Sequence, residues 1–304
     1  MKILLFGCNG QVGWELQRSL SVLGDVISLG SDSARNPQGA CGDLLDLSGI
    51  AKTVREVTPD VIVNAAAHTA VDRAESEPEL AHAINASAAA VLAEEAQRLG
   101  AWLVHYSTDY VFDGSGTRAW SEQDACAPLS VYGRSKLAGE RAVAQCARHL
   151  VFRTSWVYAA RGGNFAKTML RLAGERDQLQ VIDDQIGAPT SAELLADVTA
   201  HALVSAVARP ELAGLYHCTA RGETSWCGYA RYVLEQAQEL GLVLRAGPRQ
   251  LHAIATASYP TAAQRPLNSR LDTSRLRDTF SIHLPHWQRG VRRMLQETTG
   301  HKPT

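Results

Sequence analysis

Two groups of residues have the types and spacing to carry out redox chemistry on a carbonyl. Tyr132-Gly133-Arg134-Ser135-Lys136 sets a phenol and an ammonium four residues apart, which on a helix puts both on one face. A phenol with a pKa of about 10 is a poor acid-base group at neutral pH, and a lysine charge within reach favours the phenolate and lowers that value. Alone, the pair reads as an exposed helix-face contact. It gains meaning beside Gly7-Cys8-Asn9-Gly10-Gln11-Val12-Gly13, which directly follows the first apolar run and opens the first helical pattern. There Gly7 permits a tight turn, Gly10 lets the backbone approach a pyrophosphate, and Gly13 allows close packing of helix on strand. The free N–H groups of the helix start favour the anion. Without a ligand this is a plain glycine-rich turn; its place after a first strand argues for a dinucleotide.

A third participant is expected at the end of the strand before Tyr132, because ligands bind beyond the carboxyl ends of parallel strands. Tyr106-Ser107-Thr108-Asp109-Tyr110-Val111-Phe112 lies there, and either Ser107 or Thr108 can donate a hydrogen bond to the substrate oxygen. The second strand ends Leu29-Gly30-Ser31-Asp32, with Gly30 where an acid would hold the ribose of NAD. Exclusive use of NADH therefore loses support. Asp32 and Arg35 read equally well as cofactor contacts or as solvated loop charges.

The elements that position these groups show as short apolar runs alternating with helical patterns, the signature of βαβ units in a parallel sheet. Strands are expected at 3–6, 26–29, 61–63, 102–106 and 150–153, with helices at 12–23, 49–57, 79–99 and 132–146. Further on come a helix at 165–172, a strand at 179–182, a helix at 192–207, a strand at 215–219 and helices at 226–240 and 287–297. The fold class is α/β: a Rossmann-like doubly wound parallel sheet with a smaller α/β substrate domain. The expected division is 1–153 for the dinucleotide domain, to which the chain returns within about 178–222, and 154–304 for an interleaved substrate domain.

The chain has 304 residues, 30 Lys+Arg against 31 Asp+Glu, and 45% hydrophobic residues. That composition excludes a disordered or fibrous chain. Balanced charge argues against nucleic acid or an anionic membrane as partner. No run approaches the roughly 20 apolar residues of a spanning helix, and the apolar start is too short for a signal peptide, so a cytoplasmic protein is expected. The six cysteines show no CxxC pair or Cys/His spacing, and read as buried reduced thiols. The groups Asp72-Arg73-Ala74-Glu75-Ser76-Glu77 and Arg289, Arg292 and Arg293 read as solvated helix faces.

Taken with further segments, these residues resemble one family of the extended short-chain dehydrogenase/reductase superfamily, the dTDP-4-dehydrorhamnose reductases. The segments are Leu5 through Leu16, Asn64-Ala65-Ala66-Ala67-His68-Thr69-Ala70-Val71-Asp72, 107–112, 131–133, Arg153-Thr154-Ser155-Trp156-Val157-Tyr158, Gly187-Ala188-Pro189-Thr190 and Arg265-Pro266-Leu267-Asn268-Ser269. The resemblance covers nearly the whole chain. It implies reduction of the C4 ketone of dTDP-4-dehydro-L-rhamnose by NADPH or NADH, the last step to dTDP-L-rhamnose, a precursor of lipopolysaccharide O-antigen.

By that resemblance Tyr132 is the general acid, Lys136 holds the nicotinamide ribose and tunes the phenol, and Thr108 is the hydroxyl partner of the substrate. Asp109 and Trp156 match substrate contacts. Gln11, Val12, Ala67, His68 and Thr69 match cofactor-lining positions alongside the three glycines, and Asp43 with Leu44 matches an adenosine contact. Some members dimerise around Mg²⁺, and Glu15, Glu193 and Glu297 match those ligands, implying a homodimer. Two other readings share the motifs: an NAD-dependent epimerase of another sugar nucleotide, and a non-catalytic cofactor-binding regulatory subunit.

Overall fold

Alternate residues of the first strand are buried on opposite faces, and that dictates the layering. The computed structural model describes residues 1–299. Strand β1 (Lys2–Phe6) leads through a turn into helix α1 (Gln11–Ser21), followed by β2 (Asp25–Leu29), α2 (Leu47–Val57) and β3 (Val61–Asn64). Next come α3 (Val71–Ser76), α4 (Pro78–His82), α5 (Ala88–Leu99), β4 (Trp102–Thr108), α6 (Val131–Val143) and β5 (His149–Thr154). Ile3 and Leu5 pack on one side with Leu16 and Leu20 of α1. Leu4 and Phe6 pack on the other with Ile50, Val54 and the alanines of α5. Each aliphatic side chain buried this way contributes roughly 1.5–3 kcal/mol.

After β5 the chain leaves the sheet through β6 (Val157–Tyr158), α7 (Phe165–Glu175), β7 (Leu179–Ile182), β8 (Ile186–Gly187) and β9 (Thr190–Ser191). It returns with α8 (Ala192–Ala208), whose Leu195, Val198 and Leu203 join the α1 side of the core, and with β10 (Gly214–His217). The six-stranded sheet has the order β10-β5-β4-β3-β1-β2, parallel throughout. The remaining elements are β11 (Thr224–Ser225), α9 (Trp226–Glu239), β12 (Leu251–Ile254), α10 (Ser274–Phe280) and α11 (Trp287–Thr299). β12 pairs with β7, and α7 and α9 cover that pair with a separate apolar cluster.

β1 leads outward to β2, and the chain then recrosses to β3 on the opposite side of β1. Such a reversal leaves a crevice at the carboxyl ends of the two strands. The expected strands and helices are present, with shifted ends. The helix expected at 79–99 is instead α4 and α5 joined by a five-residue π-helical turn, Ala83–Ser87. That turn carries buried Asn85, whose amide oxygen accepts from His68 N at 2.9 Å and whose Nδ2 donates to Ser135 Oγ on α6 at 2.9 Å. No helix among the described residues is long and apolar enough to cross a membrane.

One reading needs correction. Cys8, Cys41 and Cys126 are only half-buried, because they lie in loops at the sheet's rim; Cys146, Cys218 and Cys227 are buried. The charge groups lie mostly on exposed helix faces as expected, and several of their members also make tertiary pairs. Asp72 accepts from Arg265, Glu75 accepts from Val131 N at 2.8 Å, and Arg292 and Arg293 pair with Glu239 and Glu193. Linear sequence shows a charge run but not the partner far along the chain that it meets.

Candidate active site

A cleft of about 680 Å³ opens at the carboxyl edge of the sheet, lined at one end by the glycine turn and at the other by Thr108, Tyr132 and Lys136. Gly7 has φ +84°, the left-handed region that favours glycine. A Cβ at Gly13 would lie 2.0 Å from the Gly7 carbonyl oxygen, so α1 can approach β1 only without one. At Gly10 a Cβ would meet only Gly7 O at 3.4 Å, on the open side. Gly10 caps α1 with no side-chain hydrogen bond, leaving the helix's first N–H groups to a ligand. These features fit a dinucleotide pyrophosphate.

Gln11, Val12, Ala67, Thr69, Asp43 and Leu44 also line the cleft. Gly30 lines it too, and a Cβ there would meet only the tip of the exposed Asn9 side chain, at 2.5 Å from Nδ2. Asp32 and Arg35 pair with each other at 3.1 Å on the exposed loop beyond. His68 is placed differently from the expectation: its ring does not line the cleft but turns toward Glu77, 3.8 Å away.

At the other end, Ser130 caps α6 by accepting from Gly133 N at 3.1 Å. Buried Arg153 on β5 grips Glu140 on the same helix through two hydrogen bonds of 2.9 and 2.7 Å. A bidentate pair of this kind fixes orientation as well as distance. The helix therefore delivers Tyr132 and Lys136 to the cleft at a set angle. Thr108 Oγ1 donates to Asp109 Oδ1 at 3.1 Å and accepts from Tyr110 N at 3.2 Å. Burial pushes the Asp109 carboxyl up to about 6, against the pull of the Ser269 and Thr108 hydroxyls beside it. Its Oδ2 is buried without a partner, as is Ser107 Oγ.

The lysine does not act on the phenol as the spacing suggests. Burial pushes the Tyr132 phenol up to about 12, with Thr108 beside it pulling the other way. Lys136 Nζ donates instead to the Tyr106 carbonyl at 2.6 Å, and burial brings its ammonium down to about 8. Sharing a helix face does not fix where a four-carbon stem ends, and the strand-end carbonyl is the nearer acceptor.

On the substrate side, Trp156 stacks on Trp226 with ring centroids 3.7 Å apart, and both line the cleft. Gln185 Oε1 accepts from Trp226 Nε1 at 3.1 Å and so holds the stack in place. Trp226, Ser269 and Asn85 escaped the sequence reading as site residues. Ser269 ends the segment Arg265-Pro266-Leu267-Asn268-Ser269, but Trp226 and Asn85 carry no local signal of their role.

Glu15, Glu193 and Glu297 share one neighbourhood. Burial raises the Glu193 carboxyl, with Arg293 opposing and the Glu297 and Glu15 carboxylates adding to the rise. Arg293 pairs with Glu193 at 3.3 Å and with Glu297 at 3.2 Å, and Arg18 with Glu15 at 3.7 Å. Among the described residues no three carboxylate, imidazole or thiol groups are arranged to hold a metal ion. The described residues of one chain do not by themselves form a cage for Mg²⁺.

Sheet, crossover and cleft define the class as the extended short-chain dehydrogenase/reductase type. The family model described as RmlD substrate binding domain matches residues 1–299, and the chain belongs to that family. It is 57% identical over 298 residues to the dTDP-4-dehydrorhamnose reductase of Escherichia coli (strain K12), covering 98% of both chains. A solved dTDP-4-dehydrorhamnose reductase from Clostridium acetobutylicum superposes with a TM-score of 0.88 at 33% identity, over 98% of this chain and all of the other. The Bacillus anthracis reductase in complex with NADP gives 0.85 at 33% identity, over 98% and 99% of the two chains.

Proposed function

We propose that this chain reduces the C4 ketone of dTDP-4-dehydro-L-rhamnose to dTDP-L-rhamnose with NADPH or NADH. The observation that carries this reading is the placement of Thr108, Tyr132 and Lys136 at one end of a cleft whose other end is the Gly7–Gly13 turn. When bound, the reduced nicotinamide supplies the hydride. Thr108 turns its hydroxyl proton from Asp109 to the ketone oxygen, and Tyr132 gives its proton to the alkoxide that develops there. Lys136 holds the cofactor ribose. Asp109 presents its free Oδ2 to a sugar hydroxyl, and the Trp156 ring forms an apolar wall. Gly30 stands where an acid would hold the ribose of NAD, so exclusive use of NADH has no support and the cofactor is NADPH or NADH.

Two copies of the chain would bring together two sets of Glu15, Glu193 and Glu297, and the reading extends to a homodimer bridged there by Mg²⁺. A nucleotide-sugar substrate places the reaction in the cytoplasm. The test is to mix the purified chain with NADPH or NADH, with Mg²⁺ or a chelator, and follow the reduced-cofactor absorbance on adding dTDP-4-dehydro-L-rhamnose. Cofactor oxidation with formation of dTDP-L-rhamnose supports the reading. A chain that retains NAD⁺ through purification and reduces nothing overturns it in favour of an epimerase. A silent chain that captures a stoichiometric enzyme partner overturns it in favour of a regulatory subunit.

A further inference from the structure

Among the described residues, Trp156 is the one aromatic side chain on a left-handed backbone, at φ +49°. A bulky residue keeps that conformation only where its surroundings over-determine it, and such strain collects at ligand sites. Its carbonyl accepts from Thr190 N at 3.2 Å, which ties the turn to β9. A Cβ at Gly187 of β8 would lie 2.8, 3.0 and 3.1 Å from Cε2, Cζ2 and Nε1 of the indole. Near-equal distances to three adjoining atoms mark the face of the ring, so the indole lies flat on the Gly187 backbone. Trp226 covers the other face, with ring centroids 3.7 Å apart and planes 14° from parallel. Phe165 of α7 packs against Trp226 in turn, with centroids 4.6 Å apart. With both faces covered, the Trp156 ring meets the cleft along its edge, at an angle that its two neighbours set.

An indole N–H can only donate, so the amide oxygen of Gln185 must be the end that faces Trp226 Nε1, at 3.1 Å. That leaves Gln185 Nε2 to donate to Thr256 Oγ1 at 3.0 Å. Thr256 is itself fixed on the Asp184 carboxylate, through its backbone N–H at 2.9 Å and its hydroxyl at 2.6 Å. Gln185 is 3% exposed, so water does not compete for these bonds. We propose that Gly187 and Gln185 are positioning residues that hold the Trp156 indole, directly on one face and through Trp226 on the other, at the angle that fits the sugar nucleotide. They set affinity for that substrate and leave hydride transfer alone. This rests on Trp156 meeting the sugar nucleotide. Tyr132 and Lys136 are set by bonds of α6 with β4 and β5, so the reacting groups stay in place when the stack moves. A misplaced indole then weakens bound substrate and transition state alike, which raises KM and spares kcat.

The test is steady-state ketone reduction by Gly187→Ala and Gln185→Leu, alongside NADPH affinity by fluorescence titration and the exciton couplet that stacked indoles give in circular dichroism. Gly187→Ala pushes the ring from beneath, and Gln185→Leu releases Trp226 without touching Trp156. In both, KM for dTDP-4-dehydro-L-rhamnose should rise about tenfold while kcat and NADPH affinity stay within about twofold of the wild type. The couplet should weaken in step. A purely structural role would lower the active fraction, so that kcat falls and KM stays. That result, or an unmoved KM in either folded variant, overturns the proposal. Trp156→Leu separates it from the reaction on which it rests. If the wild type reduces the ketone and Trp156→Leu keeps the wild-type KM, the indole does not meet the substrate and only the proposal falls; if the wild type reduces nothing, both fall.

Discussion

Asp109 sets stability against chemistry within one side chain. Its folded value of about 6 lies above the ordinary 3.8, so the unfolded chain gives up this proton first as pH rises. The folded state is unpenalised below about pH 4 and loses stability until about pH 6, after which the penalty is constant at roughly 3 kcal/mol, taking about 1.4 kcal/mol per unit. Asp109→Asn removes the titration. Its melting temperature should exceed that of the wild type above pH 6, and the advantage should vanish toward pH 4, while turnover falls. An equal gain at both ends would remove Asp109 as its source. At this scale the sequence is informative wherever chemistry is written locally. Thr108, Tyr132 and Lys136 stand in short motifs, and all three line the cleft. Gln185, Ser269 and Trp226 owe their places to contacts across 41 or more residues, so no local spacing announces them. The charge state of the lysine depends on which carbonyl its stem reaches, and that too is a tertiary fact.

Helix α1 meets the cleft through two glycines with opposite tasks, and a methyl group at each distinguishes them. Gly13→Ala forces a Cβ to within 2.0 Å of a backbone carbonyl oxygen that cannot yield, and should destabilise the chain by 2–3 kcal/mol or more, roughly the upper range for overpacking. Gly10→Ala meets nothing nearer than 3.4 Å and should leave the melting temperature in place. Its methyl stands on the ligand side, so NADPH affinity should fall on the order of tenfold by fluorescence titration. Unchanged affinity in Gly10→Ala would mean that the turn does not cradle the pyrophosphate. Elements were legible where apolar runs were long and bounded by glycine or polar residues, as in β1, β3 and α5. The π-helical turn at Ala83–Ser87 was not, because its residues suit an ordinary helix and only the bonds of Asn85 to His68 and Ser135 account for it. The two-residue strands β6, β8, β9 and β11 are likewise set by their partners.

For the molecule as a whole, the order of the sheet matters more than its content. We read residues 1–153 plus the return through α8 and β10, which falls within about 178–222, as the dinucleotide unit, and the rest of 154–304 as the substrate unit. A fragment ending after β5 would lack β10 on one sheet edge and the apolar side chains of α8 that cover Leu16 and Leu20. Residues 1–155 alone should therefore aggregate or sediment as a broad distribution. A monodisperse, cooperatively melting fragment would show that the first unit is complete without the return. The same arrangement bears on how the protein is made. Between the end of β5 at Thr154 and the start of β10 at Gly214 a ribosome must add roughly 60 residues, which at about 5–20 residues per second takes on the order of 3–12 s. Throughout that interval β5 is an unpaired sheet edge on a nascent chain. Translational pauses inside that window would lengthen the exposure, and trigger-type chaperones would meet the chain there with the most to protect.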